Sequence, residues 1–195
     1  MTLSININPE ITLGDIISAI SVLIALAAVM TTLWFENKRH KEVVFKEIYQ
    51  QLELASIELF RFESENEELV TLLWEENKIN EIKEGTASYF IYTNYVCQYL
   101  NLFEMSVRFK VEKVMPDDVF GSWITWIFDV CSAPGFKEVW QHCKYNYIEE
   151  LRVVINKGLI ILQKEQPVEL SKNEFFQFMA QRYRSEIILK WLSAE

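Results

Sequence analysis

From Ile16 to Phe35 the chain carries twenty residues without a formal charge. At 1.5 Å of helical rise per residue such a run covers about 30 Å, the thickness of a bilayer's hydrocarbon core. The pattern predicts one transmembrane helix over 16–35, preceded by a short extracytoplasmic tail, 1–15. A cleavable signal peptide places positive charge before a shorter apolar run. Here the preceding residues include Glu10 and Asp15 and no Lys or Arg, so the span is expected to be retained. Lys38, Arg39 and Lys41 follow it at once, and the positive-inside rule puts this membrane-surface basic cluster, with everything after it, in the cytoplasm of a single-pass inner (plasma) membrane protein. Trp34 and Phe35 fall where an interfacial aromatic belt lies. The competing reading, a buried central helix of a soluble protein, explains neither the length nor the asymmetry of the flanks.

Within this segment Gly14, Ser18, Ser21, Ala25, Ala28 and Thr32 recur at spacings of 4, 3, 4, 3 and 4. In lipid, helices associate where small residues let backbones approach, and Ser or Thr can add interhelical hydrogen bonds. These six positions form the expected transmembrane interface, with another membrane protein or with a second copy of the chain.

Past the span the apolar period stays helical. Phe45, Ile48, Leu52, Ala55, Leu59 and Phe62 repeat at 3, 4, 3, 4 and 3, and no Pro or Gly occurs between Asp15 and Gly85. A juxtamembrane extension of the same helix is therefore expected over 36–62, followed by a cytoplasmic helical domain over 63–195. Ser64 with Glu67 and Ser171 with Glu174 have the spacing of capping boxes, predicting a helix from about Glu65 to Asn77 and a last one reaching about Trp191. Thr86 or Ser88 should open a longer helix ending near Val111, with Phe90, Val96 or Cys97, Leu100, Phe103 and Val107 on its apolar face. Pro116, followed by Asp117 and Asp118, suits a first helical turn. The helix it opens carries Phe120, Trp123, Ile124, Ile127 and Val130 and is stopped by SAPG. From Pro134 to Leu162 the pattern fits one helix or two broken near 144–146. With no strand alternation, the fold class is all-α: a transmembrane helix continuing into a cytoplasmic bundle of about six helices.

The run NYVCQYLNLFEMSVRFKVEKVMPDDVFGSWITWIF combines an aromatic helix ending in N-x-F-E, a short acidic turn and a Trp-rich helix. Through Asn101, Phe103, Glu104, Gly121 and Trp126 it resembles bacterial helical families of unknown function, many with one N-terminal transmembrane helix. The resemblance implies an anchored all-α architecture and supplies no activity to carry over.

Composition narrows the function classes. A net charge of −9, without a basic stripe beyond 38–41, opposes nucleic-acid binding. Three cysteines, Cys97, Cys131 and Cys143, in apolar or aromatic contexts read as reduced core thiols. Glu104 among Leu102, Phe103, Met105 and Val107 is the one candidate for acid/base work, but Arg108 four residues on predicts a structural ion pair instead. Cys131, His142 and Cys143 lack the fourth ligand and paired spacing of zinc sites, and no phosphate-cradling glycine motif occurs. Neither a metal nor a cofactor is expected. Trp123, Trp126, Phe120 and Phe128 read as core, and Glu63, Glu65, Glu67, Glu68, Glu75 and Glu76 as a solvated acidic face able to meet a basic partner. The expected role is non-enzymatic: a scaffold or accessory subunit that contacts the bilayer and a membrane partner. The alternative is an oligomeric effector that permeabilises the bilayer in stress or phage defence.

Overall fold

The computed structural model describes residues 12–76, 78–164 and 166–192, leaving aside the side chains at 41, 79, 81, 191 and 192. Among the described residues there are helices and turns and no strand. In order these are α1 (Leu13–Glu65), α2 (Glu67–Trp74), a 3-10 turn (Lys78–Glu81), α3 (Ala87–Val111), α4 (Asp117–Ser132), α5 (Phe136–Cys143), a second 3-10 turn (Lys144–Asn146), α6 (Glu149–Leu162), α7 (Val168–Tyr183) and α8 (Glu186–Leu192). The all-α expectation holds, and among the described residues seven α-helices follow α1 where about six were expected. The chain divides into two compact units, 1–44 and 45–195.

In the first unit α1 exposes large apolar side chains on every side, among them Leu23, Ile24, Leu26, Val29 and Met30, each more than half exposed. It is long and apolar enough to cross a membrane. Most of the tail, through residue 11, lies outside the described residues.

The second unit is organised around α4, which packs against α3, α5, α6, α7 and α8. Its inward face is apolar, with Phe120, Trp123, Ile124, Ile127, Phe128, Val130 and Cys131 buried, while Asp118, Ser122, Asp129 and Ser132 form an exposed polar side. Leu52 and Leu59 of α1 join this core, fully or almost fully buried. The stripe expected on this part of α1 slips by one residue. Ala55 is exposed, and Ser56 takes the inward position, its hydroxyl donating to the Leu52 carbonyl at 2.8 Å so that it packs as a small, satisfied residue.

Chain breaks depart from the expectations where local hydrogen bonding outweighs spacing. Neither capping box forms. The Ser64 hydroxyl donates back to the Arg61 carbonyl at 2.7 Å, α1 runs on to Glu65, and Asn66 occupies the N-cap of α2. Ser171 lies inside α7, which opens after Pro167, and accepts from Gln166 Nε2 at 3.0 Å. Thr86 does cap α3, accepting from the Tyr89 N–H at 3.3 Å, and α3 ends at Val111. Pro116 takes the N-cap of α4 rather than its first turn. The 134–162 stretch is two helices, parted by the turn Lys144–Asn146. The last helix also splits: Arg184 turns left-handed at φ 52° and the Ser185 N–H reaches back to the Ala180 carbonyl at 3.0 Å, the six-to-one bond of a Schellman motif. Lys113 (φ 60°) ends α3 the same way, with the Val114 N–H on the Phe109 carbonyl at 2.9 Å.

Candidate functional site

All six positions of the small-residue stripe, Gly14, Ser18, Ser21, Ala25, Ala28 and Thr32, are exposed on α1. Two of the three stripe hydroxyls are engaged, as is the neighbouring Thr31: Ser21 donates to the Ile17 carbonyl at 2.8 Å, Thr31 to Ala27 at 2.7 Å and Thr32 to Ala28 at 2.9 Å. Back-bonding of this kind hides polarity within the helix. What the stripe offers a neighbour is therefore mainly close backbone approach, with Ser18 as its remaining hydroxyl. Lys38 sits with its ammonium 5.9 Å from the Trp34 ring centroid, beside exposed Arg39. The side chain of Lys41 lies outside the described residues.

In the second unit the expected pair of Glu104 and Arg108 does not form among the described ion pairs. Glu104 instead accepts the Ile148 N–H at 2.7 Å, across 44 residues of chain, and Arg108 is exposed. Ile148 is the N-cap of α6 and its side chain cannot cap, so the carboxylate serves a backbone donor that the α6 entry leaves open. A structural partner at this distance in sequence outcompetes the exposed helical neighbour, because a half-buried carboxylate gains more from a fixed donor than from a solvated guanidinium.

A carboxylate not singled out by spacing is more deeply involved. Glu63 accepts the hydroxyl of Tyr95 at 2.6 Å and also that of Tyr99. Tyr92, Tyr95 and Tyr99 form a buried face of α3, whereas Phe90, expected in the core, is 66% exposed. The signal was present as Tyr at 3 and 4 spacing, but tyrosine's polar tip makes such a stripe ambiguous until a partner for the hydroxyls is known. Burial, with the Glu63 bond second, pushes both Tyr95 and Tyr99 far above the ordinary tyrosine range, so they stay protonated donors. Beside them Trp126 lies at the centre of a ring cluster, 5.3 Å from Phe60, 5.6 Å from Tyr99, 5.5 Å from Phe103 and 5.4 Å from Trp123.

The thiols are free. Cys131 is buried in the core and raised by that burial. Cys97 on α3 meets Cys143 at the end of α5. The bond from Cys143, opposed by burial and aided by Tyr147, draws the Cys97 thiol below the ordinary cysteine value and pushes Cys143 up. His142 bonds through Nδ1 to the Tyr89 hydroxyl at 3.0 Å. Among the described residues no group of three His, Cys, Asp or Glu side chains could hold a metal ion.

Two clefts remain. One, about 730 Å³, lies among Lys110, Lys113, Asp117, Glu150, Arg182 and Arg184; both carboxylates are paired, while Lys113 and Arg184 enter no ion pair among the described residues. Lys110 pairs with Asp117, and Arg182 clamps Glu150 through two bonds at 2.7 and 2.6 Å. The other, about 640 Å³, lies between α2, residue 82 and α3. Its floor is Leu69, Leu72, Ile82 and Ile91, and its rim is Glu65, Glu67 and Glu68. None of these three glutamates enters an ion pair among the described residues. This acidic, apolar-floored cleft is the candidate interaction site.

Comparison with family models, curated proteins and solved structures gives no match. The likeness carried by Asn101, Phe103, Glu104, Gly121 and Trp126 therefore remains a resemblance. Of these residues, Phe103 and Trp126 meet edge to face and Glu104 makes the Ile148 bond.

Proposed function

We propose that the protein is a non-enzymatic, single-pass membrane protein that acts as a scaffold or accessory subunit, docking through its first helix and its helical domain. The observation that carries this reading is the first part of α1, apolar and exposed all round. A helix of that composition needs lipid or protein on every side. Lys38, Arg39 and Lys41 favour an orientation with residues 45–195 in the cytoplasm and the tail outside. The titratable groups of the domain support a structural rather than catalytic use: Glu104 is spent on a backbone N–H, Glu63 on two tyrosines and Glu150 on Arg182.

The small-residue face then serves as a packing surface in the membrane. The alternative role, a self-assembled pore, needs polar groups turned to a lumen. Ser21 and Thr32, two of the three hydroxyl residues of that face, are bonded into their own backbone, which favours packing instead. Substituting Ser21 and Ala25 with Leu tests the two together. The scaffold reading expects loss of a copurifying membrane protein with no change in membrane potential on overexpression. Depolarisation by the unsubstituted chain, abolished by the substitutions, would instead support the effector.

A further inference from the structure

The cleft at α2 and α3 combines an acidic rim, without an ion pair among the described residues, with an apolar floor whose Ile91 is 51% exposed. A second cleft of about 460 Å³ shares Glu67, Glu68, Leu72 and Ile82 and prolongs it past Thr71 and Lys78, making one continuous groove. From Glu63 to Glu84 the chain holds eight Glu and two Lys, a net charge of −6 out of −9 for the whole protein. Of these acids Glu65, Glu67 and Glu68 line the groove and, as no metal-holding group of three exists among the described residues, a single divalent cation does not match them. Anionic membranes and nucleic acids are repelled by the same rim. What fits is a row of separated positive charges flanking an apolar face.

We propose that this groove docks a basic amphipathic helix of the partner protein, its apolar side chains on Leu72, Ile82 and Ile91 and its Lys or Arg residues against Glu65, Glu67 and Glu68. The assignment rests on the scaffold reading and gives the partner its chemistry.

The test uses the full chain in phosphatidylcholine nanodiscs and a fluorescent helical peptide with one Leu face and one Lys face. Two control peptides carry Glu in place of Lys, or Gln in place of Leu. The Leu/Lys peptide binds and both controls bind far more weakly. Glu67→Lys with Glu68→Lys weakens the Leu/Lys peptide about tenfold or more, and so does added salt; Ile91→Asn weakens it as well. Because lysines in the first turn of α2 oppose the helix dipole, Glu67→Gln with Glu68→Gln is run in parallel, with helicity and melting temperature checked for each. No binding to the wild-type chain, binding within twofold after charge removal, or equal binding of the controls overturns the proposal. Failure of the parent reading looks different. A native partner that stays with the groove variants leaves a scaffold without this groove. Peptide binding with no native partner on either form leaves a groove without the scaffold.

Discussion

Gly135 is the position where the groove depends on a single missing methyl group. It lies in the turn between α4 and α5, where its N–H donates to the Leu73 carbonyl at 3.0 Å and joins that turn to the end of α2. A Cβ there would collide with the Tyr92 hydroxyl and stand 2.5 Å from the Leu72 carbonyl oxygen and 3.2 Å from Leu73 Cα. The tyrosine tip can be removed, but two of the three contacts are α2 backbone and cannot rotate away. Overpacking of this kind costs about 1–3 kcal/mol, and backbone on the receiving side puts Gly135→Ala at about 2 kcal/mol or more. For a chain of this size each kcal/mol is worth about 2–4 °C of melting temperature, so thermal melts followed by circular dichroism should fall by about 4–8 °C or more. Adding Tyr92→Phe should recover only part of that loss, since the Leu72 carbonyl remains. A Gly135→Ala protein that melts within a degree of wild type, or one fully rescued by Tyr92→Phe, refutes the claim that this close approach fixes α2 against the bundle.

Removing Glu104 should expose its true partner: Glu104→Ala leaves the Ile148 N–H without its acceptor and costs about 1–3 kcal/mol in denaturant melts, while Arg108→Ala stays within about 0.5 kcal/mol; equal losses would restore the ion pair. Glu150 is held below the ordinary carboxylate range by its bonds to Arg182, against partial burial. A lowered folded value means that the stabilisation is present above the unfolded value of about 4.3 and lost as pH falls through the folded one. The stability gap between wild type and Glu150→Gln, about 1 kcal/mol at neutral pH, should accordingly close on acidification, and a gap that widens contradicts the pairing. Native alkylation with iodoacetamide near neutral pH should label Cys97 first and Cys131 last by mass spectrometry, and Cys143→Ser should slow Cys97; preferential labelling of Cys131 would contradict the burial and bonding of these thiols.

Periodicity carried much of the helical bundle where inner faces are apolar. On α4, Phe120, Trp123, Ile124, Ile127 and Val130 are all buried as the spacing predicts. It failed where polar atoms decide. The S-x-x-E boxes at Ser64 and Ser171 matched a motif whose hydroxyls found closer partners, at Arg61 and Gln166. The tyrosine face of α3 stayed hidden because its inward turn depends on Glu63, 32 and 36 residues away. Glu104 looked local and is long-range. The acidic run was visible as charge, but its meeting with Leu72, Ile82 and Ile91 in one groove requires α2 and α3 side by side. Sequence spacing reports neighbours within a helix; sites assembled between helices depend on separations it does not encode.

The central claim is that this chain works by contact with another protein in the membrane. Extraction in mild detergent at native expression, followed by size-exclusion and mass measurement, tests it most directly. The expected result is a complex of fixed stoichiometry with a second protein, lost when Ser21 and Ala25 become Leu or when Glu67 and Glu68 are neutralised; a wild-type chain that elutes as an isolated monomer contradicts the scaffold proposal.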